Sequence, residues 1–288
     1  MKRAALFVIL AFAGSWSLAG AFYALGGRWN TMPAMAVPVA YMFMPMAAAI
    51  VVQKAIWREP LREPLGISFR LNRWFAVAWL LPPALAFATL GVSLLLPGVA
   101  YSSDMAGLFE RFRSVLPPER LAEMKQQAAA MPIHPVWLAL AQGMVAGVSV
   151  NAVAGFGEEL GWRGLLQREL GPLGFWRSSA LIGFVWGVWH APLILQGHNY
   201  PQHPVAGAGL MVCWCVLLAP VISYVRLRAK SVIAAAVLHG TINGTAGIAL
   251  MLVKSGSDLT VGMTGLAGFI VLAVADLALF VYRSVARG

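Results

Sequence analysis

The sequence has little charge, few cysteines and no repeated or low-complexity segment. Asp, Glu, Lys and Arg together make up 11% of the residues, whereas 60% are hydrophobic and the mean hydropathy is +0.75. This balance excludes an ordinary soluble domain, in which about a quarter of the residues are charged. It is typical of a polytopic membrane protein, whose helices each need roughly 20 mostly apolar residues to cross the hydrocarbon core.

The scarcity of cysteine excludes a disulfide framework. Cys213 and Cys215 are the two cysteines of the chain. Because they are two positions apart in an apolar segment, they point in different directions on a helix and cannot form an unstrained disulfide with each other. The sequence has no thiol motif either. A disulfide-stabilised secreted domain and a thiol redox enzyme are therefore both excluded.

Long apolar runs dominate what is present. About eight such runs, each near the length of one membrane span, are separated by short polar or Pro- and Gly-containing turns. The sequence therefore predicts an all-α fold, a polytopic membrane bundle of about eight transmembrane helices. The predicted spans are residues 4–26, 34–56, 74–98, 136–162, 178–197, 205–225, 231–253 and 261–282.

The net charge of +10 is explained by the membrane and does not require a nucleic-acid partner. Cytoplasmic ends of membrane helices carry an excess of Lys and Arg, so we expect both termini to be cytoplasmic. The short loops favour a bacterial inner membrane. The predicted inner set holds 15 of the 21 basic residues: Lys2, Arg3, Lys54, Arg58, Arg62, Arg70, Arg73, Arg163, Arg168, Arg177, Arg226, Arg228, Lys230, Arg283 and Arg287. The outer set is Arg28, Arg111, Arg113, Arg120, Lys125 and Lys254.

Two segments outside the regular span pattern need an interpretation. The N-terminal segment has the basic start and apolar core of a secretory signal, but its apolar run reaches about the length of a full span, so we expect an uncleaved first helix. The stretch 101–135 contains an amphipathic segment that we expect to form a helix on the outer surface. Its apolar positions are Met105, Leu108, Phe109, Phe112, Val115 and Leu116.

Several polar side chains lie within the apolar segments, where each ionisable group costs about 2.5 to 3.5 kcal/mol. Glu158 and Glu159 are adjacent, so they cannot face the same partner on a helix. Arg163 follows Glu159 by four positions, the spacing at which helical side chains meet, and can neutralise it. Glu158 is then the carboxylate left free for chemistry. The other polar residues of this kind are His190, His239, Asn243 and, isolated in the last predicted span, Asp276.

Glu158, His190 and His239 belong to three predicted helices and are expected at similar depths in the membrane. His239 and Asn243 are four apart and share one helical face, as do Trp186 and His190. Counted at about 1.5 Å per residue from the predicted inner ends, Glu158 lies roughly 15 Å deep, His190 roughly 18 Å and His239 roughly 12 Å. We therefore expect them at one level, on the cytoplasmic side of the midplane.

This set of side chains favours hydrolysis of a peptide bond. A carboxylate and an imidazole around a shared water form a general-base pair, which assigns water activation to Glu158 and His190. N–H groups of His239 and Asn243 could stabilise the oxyanion of a tetrahedral intermediate. An alternative is a zinc site formed by Glu158, His190 and His239, with one position open for water. We favour the metal-free mechanism, because the ligands lack the local spacing of helical zinc proteases.

Three motifs resemble those of the CPBP family of intramembrane endopeptidases, also called ABI. "EELGWR" matches EExxxR, "HGTIN" matches HxxxN, and "WGVWH" occupies the place of FxxxH. The family includes type II CAAX prenyl endopeptidases and bacteriocin-processing and immunity proteins. The resemblance covers about residues 140–250 and implies an eight-helix core. It also implies a site opening toward the cytoplasmic side and cleavage of a C-terminal or membrane-proximal peptide.

The resemblance carries over to individual residues. It implies that Glu159 and Arg163 support the catalytic set, and Trp186 stands where the family has Phe. An aromatic wall is retained there, although the substrate pocket is expected to be reshaped. The implied catalytic set is Glu158, His190, His239 and Asn243.

With the resemblance, the chain divides into three regions of one integrated membrane domain. Residues 1–135 form a three-span region with the outer amphipathic segment, 136–255 the CPBP-like catalytic core, and 256–288 the C-terminal span. The expected partners are the lipid bilayer and a peptide or protein substrate, which could be lipidated.

Two other function classes stay open. One is a non-catalytic immunity or scaffold protein, in which the polar cluster serves packing or partner binding. The other is a proton-coupled transporter, because intramembrane Glu and His also form proton relays. A transporter would show repeated halves with broken helices, and the sequence shows no such symmetry.

Overall fold

The computed structural model describes residues 2–27, 36–113 and 116–285, and this part of the chain is an all-α bundle with one short β-ribbon. The predicted fold class is confirmed. The helices are α1 (Lys2–Ala24), α2 (Ala36–Ile50), α3 (Arg73–Leu94), α4 (Ala106–Phe112), α5 (Pro118–Ala130), α6 (Pro135–Gly147), α7 (Val150–Glu159), α8 (Gln167–Leu170), α9 (Phe175–Trp189), α10 (Ala191–Ile194), α11 (Pro204–Ala229), α12 (Val232–Thr245), α13 (Ile248–Met251) and α14 (Leu266–Val285).

Other short elements extend or join these helices. A π-helical stretch, Val51–Ile56, continues α2, and another, Leu160–Leu166, joins α7 to α8. The 3₁₀ turn Gly171–Leu173 follows α8. Strands β1 (Ala100–Tyr101) and β2 (Val253–Lys254) pair antiparallel.

The described residues contain six helices long and apolar enough to span a membrane, or seven if α5 and α6, which meet at 95°, count as one bent span. The protein is thus an integral membrane protein, and the predicted count of eight spans is approximate. Two of the eight predicted spans are not single helices long enough to cross the membrane. The span at 136–162 is broken between α6 and α7. At 178–197, α9 has 15 residues, about 22 Å of helix, less than the roughly 30 Å of hydrocarbon.

One end of the bundle, which we call the basic end, holds the starts of α1, α3, α9 and α12 and the ends of α2, α11 and α14. Arg226 donates from Nε to the carbonyl of Arg163 over 3.0 Å. The backbone N–H of Val232 donates to the carbonyl of Gly66 over 2.8 Å. The described members of the predicted inner basic set lie at or near these helix ends, except for the buried Arg163. Arg28 and Arg287 lie outside the described residues.

The opposite end, which we call the loop end, comprises residues 95–113, 116–134, 195–203 and 252–265. The backbone N–H of Ser102 donates to the carbonyl of Leu252 over 3.0 Å, next to the β-ribbon. His203 Nδ1 lies 2.6 Å from Asp258 Oδ1. These contacts join the loops before α4, before α11 and before α14 into one layer.

The predicted amphipathic segment forms α4, and its apolar face packs against α5. Met105 and Phe109 are buried with Leu121 of α5. The sequence did not predict α5, and Val115 of the predicted face lies outside the described residues. The face expected on the membrane surface is therefore covered by a second helix.

Glycines let α12 pack closely against α6 and α7. A Cβ atom at Gly143 would lie 2.1 Å from the carbonyl oxygen of Gly244, and one at Gly240 would lie 2.6 Å from the backbone nitrogen of Ala152. No larger residue fits at such distances without a shift of the backbone. The candidate span Val232–Met251, which contains α12 and α13, is the most buried of the candidate spans, at 72%. This packing places the end of α7, with its glutamates, against the middle of α12.

Candidate active site

Glu159 lies at the centre of a buried network of charged and polar groups. Its Oε1 atom accepts a hydrogen bond from Arg163 Nη1 over 3.1 Å and lies 2.7 Å from Nδ1 of His239. Arg163 and Glu159 have 0% exposure and His239 has 6%. The predicted contact between Glu159 and Arg163 is therefore present. The contact with His239, which joins α7 to α12, was not foreseen.

Arg163 also contacts the aromatic residue of the second motif. Its guanidinium lies over the Trp186 ring, 4.6 Å from the centroid. The Nε and Nη2 atoms of Arg163 are buried without a hydrogen-bond partner among the described residues. Cation–π contact with an indole ring compensates part of the cost of burying the charge. Arg163 therefore contacts both Glu159 of α7 and Trp186 of α9.

The prediction that Glu158 and Glu159 cannot face the same partner is wrong, because Oε1 of each carboxylate approaches the ring of His239, Glu158 at Nε2 and Glu159 at Nδ1. Glu158 differs from Glu159 in its other contact. Its Oε2 atom accepts a hydrogen bond from the indole Nε1 of Trp186 over 2.6 Å. Its Oε1 atom lies 4.0 Å from Nε2 of His239. Phenylalanine, which the family has in place of Trp186, has no N–H to donate. The aromatic substitution thus adds a hydrogen bond to the carboxylate that we expected to be free.

His190 lies at the C-terminal end of α9, where its ring is held by its own helix. Nδ1 lies 2.8 Å from the carbonyl oxygen of Trp186. With the proton on Nδ1, the ring donates to that carbonyl and Nε2 is left as an acceptor. Tyr41 and Trp16 both donate to the carbonyl of Trp189, which satisfies an acceptor left open at the helix end. These contacts fix the ring of His190 beside the cavity described next.

The four residues predicted as catalytic line one cavity of about 330 Å³. Since a water molecule occupies about 30 Å³, this volume holds several waters or a short peptide segment. Exposure increases along the cavity from buried Glu158 and His239, through half-buried His190, to exposed Asn243. No hydrogen bond joins His190 to Glu158 among the described residues. The arrangement leaves room for a water between them.

The cavity also has lining residues that sequence reasoning did not assign to it. Tyr41 comes from α2, His198 and Asn199 from the loop before α11, and Thr264 from the loop before α14. Burial lowers the pKa of His198 to about 4, so its imidazole is neutral at pH 7. No motif in the sequence marks these four positions.

Two larger grooves contain none of the predicted site residues. One of about 920 Å³ lies at the basic end, lined by residues 62–72, in part, together with Ala229 and Lys230. The other, about 650 Å³, lies between α4 and α5. Cavity volume alone would therefore select a groove that holds none of the predicted site residues. The convergence of Glu, His and Asn side chains makes the smaller cavity the candidate active site.

The alternative zinc set does not fit the geometry well. In the part of the chain that the structure describes, no three His, Cys, Asp or Glu side chains are arranged to hold a metal ion. Glu158 Oε2, His190 Nδ1 and His239 Nδ1 each contact a protein partner, namely the Trp186 indole, the Trp186 carbonyl and Glu159. A zinc ligand set would need the remaining atoms of all three side chains to converge at about 2 Å from one point.

Part of the chain matches a protein-family model. Residues 132–245 match the family model described as type II CAAX prenyl endopeptidase Rce1-like. No curated protein matches the chain. The matched segment runs from just before α6 to the end of α12 and contains all three motifs. The match supports the resemblance to CPBP and CAAX endopeptidases over residues 132–245, and this part of the chain is similar to an Rce1-like type II CAAX prenyl endopeptidase.

Proposed function

We propose that the protein is an intramembrane endopeptidase that hydrolyses a peptide bond of a membrane-associated protein or of a C-terminal, CAAX-like peptide. The observation that carries the proposal is the convergence of Glu158, His190, His239 and Asn243 on one cavity. The match to the Rce1-like family over the same helices supports it.

In the proposed mechanism, a water between Glu158 and His190 attacks the carbonyl carbon of the substrate. Glu158 accepts the proton of the water as the new C–O bond forms. The oxyanion of the tetrahedral intermediate accepts hydrogen bonds from the side-chain amide of Asn243 and from Nε2–H of His239. The C–N bond then breaks, and the proton held by Glu158 passes to the amine nitrogen that leaves.

Glu159 and Arg163 act in this proposal by positioning His239. Because Glu159 contacts Nδ1, the ring of His239 is oriented with Nε2 toward Glu158 and the cavity. Arg163 holds Glu159 in turn. His239 Nε2 carries the proton needed for an oxyanion donor when both ring nitrogens are protonated.

We expect the reaction to need no metal ion. Cleavage by the purified protein should continue after treatment with a zinc chelator, and elemental analysis should find less than about one zinc per two chains, against the one per chain that a catalytic site requires. Loss of cleavage on chelation, with recovery on adding zinc but not magnesium, would establish the metalloprotease alternative.

Replacement of Trp186 by Phe should lower kcat. The bond holds the Glu158 carboxylate in place but weakens as Glu158 takes up the proton, so its loss is expected to reduce kcat by up to about tenfold, less than the bond's full value of about 1.5 to 3 kcal/mol would give, with little change in KM. Trp214→Phe is the matched control, because Trp214 lines the same cavity but its Nε1 has no hydrogen-bond partner among the described residues. Equal kinetics for the two variants would show that the Trp186 indole N–H plays no part.

Comparison of membrane peptides tests the proposed function. Cells that carry the wild-type protein and cells that carry Glu158→Gln should differ in newly formed peptide ends from membrane-associated proteins. If both cell types give the same ends and the same phenotype, the protein is a scaffold or immunity protein and not a protease. A proton-coupled transporter would instead show substrate uptake that depends on a proton gradient.

A further inference from the structure

The cavity extends to the loop end of the bundle. His198, Asn199 and Thr264, which all belong to loop-end segments, are among its lining residues. The described lining residues include none from the basic-end segments 58–72 and 226–231. The most exposed of the proposed catalytic residues, Asn243, lies two residues before the loop-end terminus of α12.

Toward the basic end, the structure is closed by packed side chains. Trp162, Arg163 and Leu165 have 0% exposure and Leu166 has 2%. The Arg226 guanidinium lies across this layer and donates to the Arg163 carbonyl. A peptide could not approach Glu158 from this side without displacing a close-packed layer.

A row of smaller cavities continues the site toward the surface of the loop end. A cavity of about 250 Å³ shares Asn199 and Thr264 with the site, and it is also lined by Asp258. A further cavity of about 270 Å³ shares Glu110 and Arg111 with that one. Neighbouring cavities with shared polar lining residues therefore lie between the site and the exposed side of α4.

The charges of the two ends indicate which end faces the cytoplasm. Basic residues exceed acidic ones strongly at the basic end and balance them at the loop end, so the positive-inside rule places the basic end in the cytoplasm. The described loop-end charges are Arg111, Arg113, Arg120, Lys125 and Lys254 against Asp104, Glu110, Glu119, Glu123 and Asp258.

We propose that the active site receives its substrate from the non-cytoplasmic face of the membrane. The substrate class is then a segment, next to the bilayer, of a protein that has been exported or that is anchored with this segment outside. This inference rests on the proposed endopeptidase function. It differs from the cytoplasmic opening that the family resemblance implies, since a cytoplasmic opening and a cytoplasmic basic end are incompatible in this structure.

Impermeant thiol reagents test which face each end occupies. Single cysteines are introduced at Glu110→Cys and Arg70→Cys, both exposed, in a chain with Cys213→Ala and Cys215→Ala. A sulfonated methanethiosulfonate should label Glu110→Cys in right-side-out vesicles and Arg70→Cys in inverted vesicles. Labelling with the two positions exchanged would overturn the proposal, and this readout does not depend on enzyme activity.

Blocking the path tests the route itself. Asn199→Cys, at the mouth of the site, is labelled in right-side-out vesicles, and cleavage is compared before and after labelling. We expect the label to reduce cleavage at least tenfold, with Arg70→Cys labelled in inverted vesicles as the unaffected control. Unchanged cleavage after full labelling of Asn199→Cys would refute the route. If no variant or wild type cleaves any peptide while the labelling pattern is as expected, the proposed function fails and the sidedness stands.

Discussion

Glu158→Gln should reduce the rate of peptide cleavage by at least about 100-fold, because general-base catalysis contributes about 10² to 10⁴ to a rate. Gln has nearly the same volume as Glu, and its carbonyl oxygen can still accept the hydrogen bond from Trp186 Nε1. The amide cannot accept the proton of the attacking water. The variant should therefore fold and bind substrate but not cleave it.

The measurement is single-turnover cleavage by purified protein in liposomes, with thermal unfolding followed in the same detergent before reconstitution. Glu63→Gln, which removes an exposed carboxylate at the basic end, should keep wild-type kinetics. Glu158→Gln activity within a factor of about three of wild type would be incompatible with a general base at this position, which is expected to contribute about 10² or more.

Arg163→Met should destabilise the folded protein by about 3 to 5 kcal/mol, the usual effect of removing one partner from a buried ion pair. The side chain has 0% exposure, its Nη1 donates to Glu159, and its guanidinium lies over Trp186. Without it, Glu159 is a buried carboxylate whose remaining partner among the described residues is His239. Met fills a similar volume, so the loss is electrostatic rather than a cavity effect.

A double-mutant cycle separates the energy of the Glu159–Arg163 ion pair from other effects of the substitutions on stability. Glu159→Gln combined with Arg163→Met should cost less than the sum of the two single changes, because neither partner is then left charged and unpaired. Stability is measured as the free energy of unfolding in a titration with SDS. Arg177→Met, which removes an exposed arginine near the start of α9, is the matched control. Strict additivity, or equal effects of Arg163→Met and Arg177→Met, would show that the buried pair does not stabilise the fold.

The parts of the site that follow from helical spacing could be predicted from sequence. The contact of Glu159 with Arg163 depends on positions four apart along one helical segment, whose geometry is fixed by the backbone. The approach of both Glu158 and Glu159 to His239 did not follow from that spacing. The convergence of four motif residues on one cavity followed from counting residues along predicted spans. Their catalytic roles and the regional division of the chain at 136 and 256 stay predictions.

The contacts that depend on packing between helices could not be predicted. His239 and Glu159 are 80 positions apart, and their pairing requires the close approach of α7 to α12. Helix α5 was missed because charged and amide residues interrupt its apolar residues, of which Leu121 is buried. The opening of the cavity depends on which loops fold over it, and Asn199 and Thr264 carry no pattern that a single sequence reveals.

The backbone contact between α6 and α12 limits how this protein can be engineered. Replacing a helical glycine by alanine is a common way to raise stability, because it restricts the unfolded chain. At Gly143 and Gly244 the added methyl group would collide with the opposing main chain, so the two helices would be forced apart and the spacing of the histidine from the acids would change. Gly20 and Gly91 have nothing within 4 Å of the added atom, and thermostable variants for crystallography are better sought there.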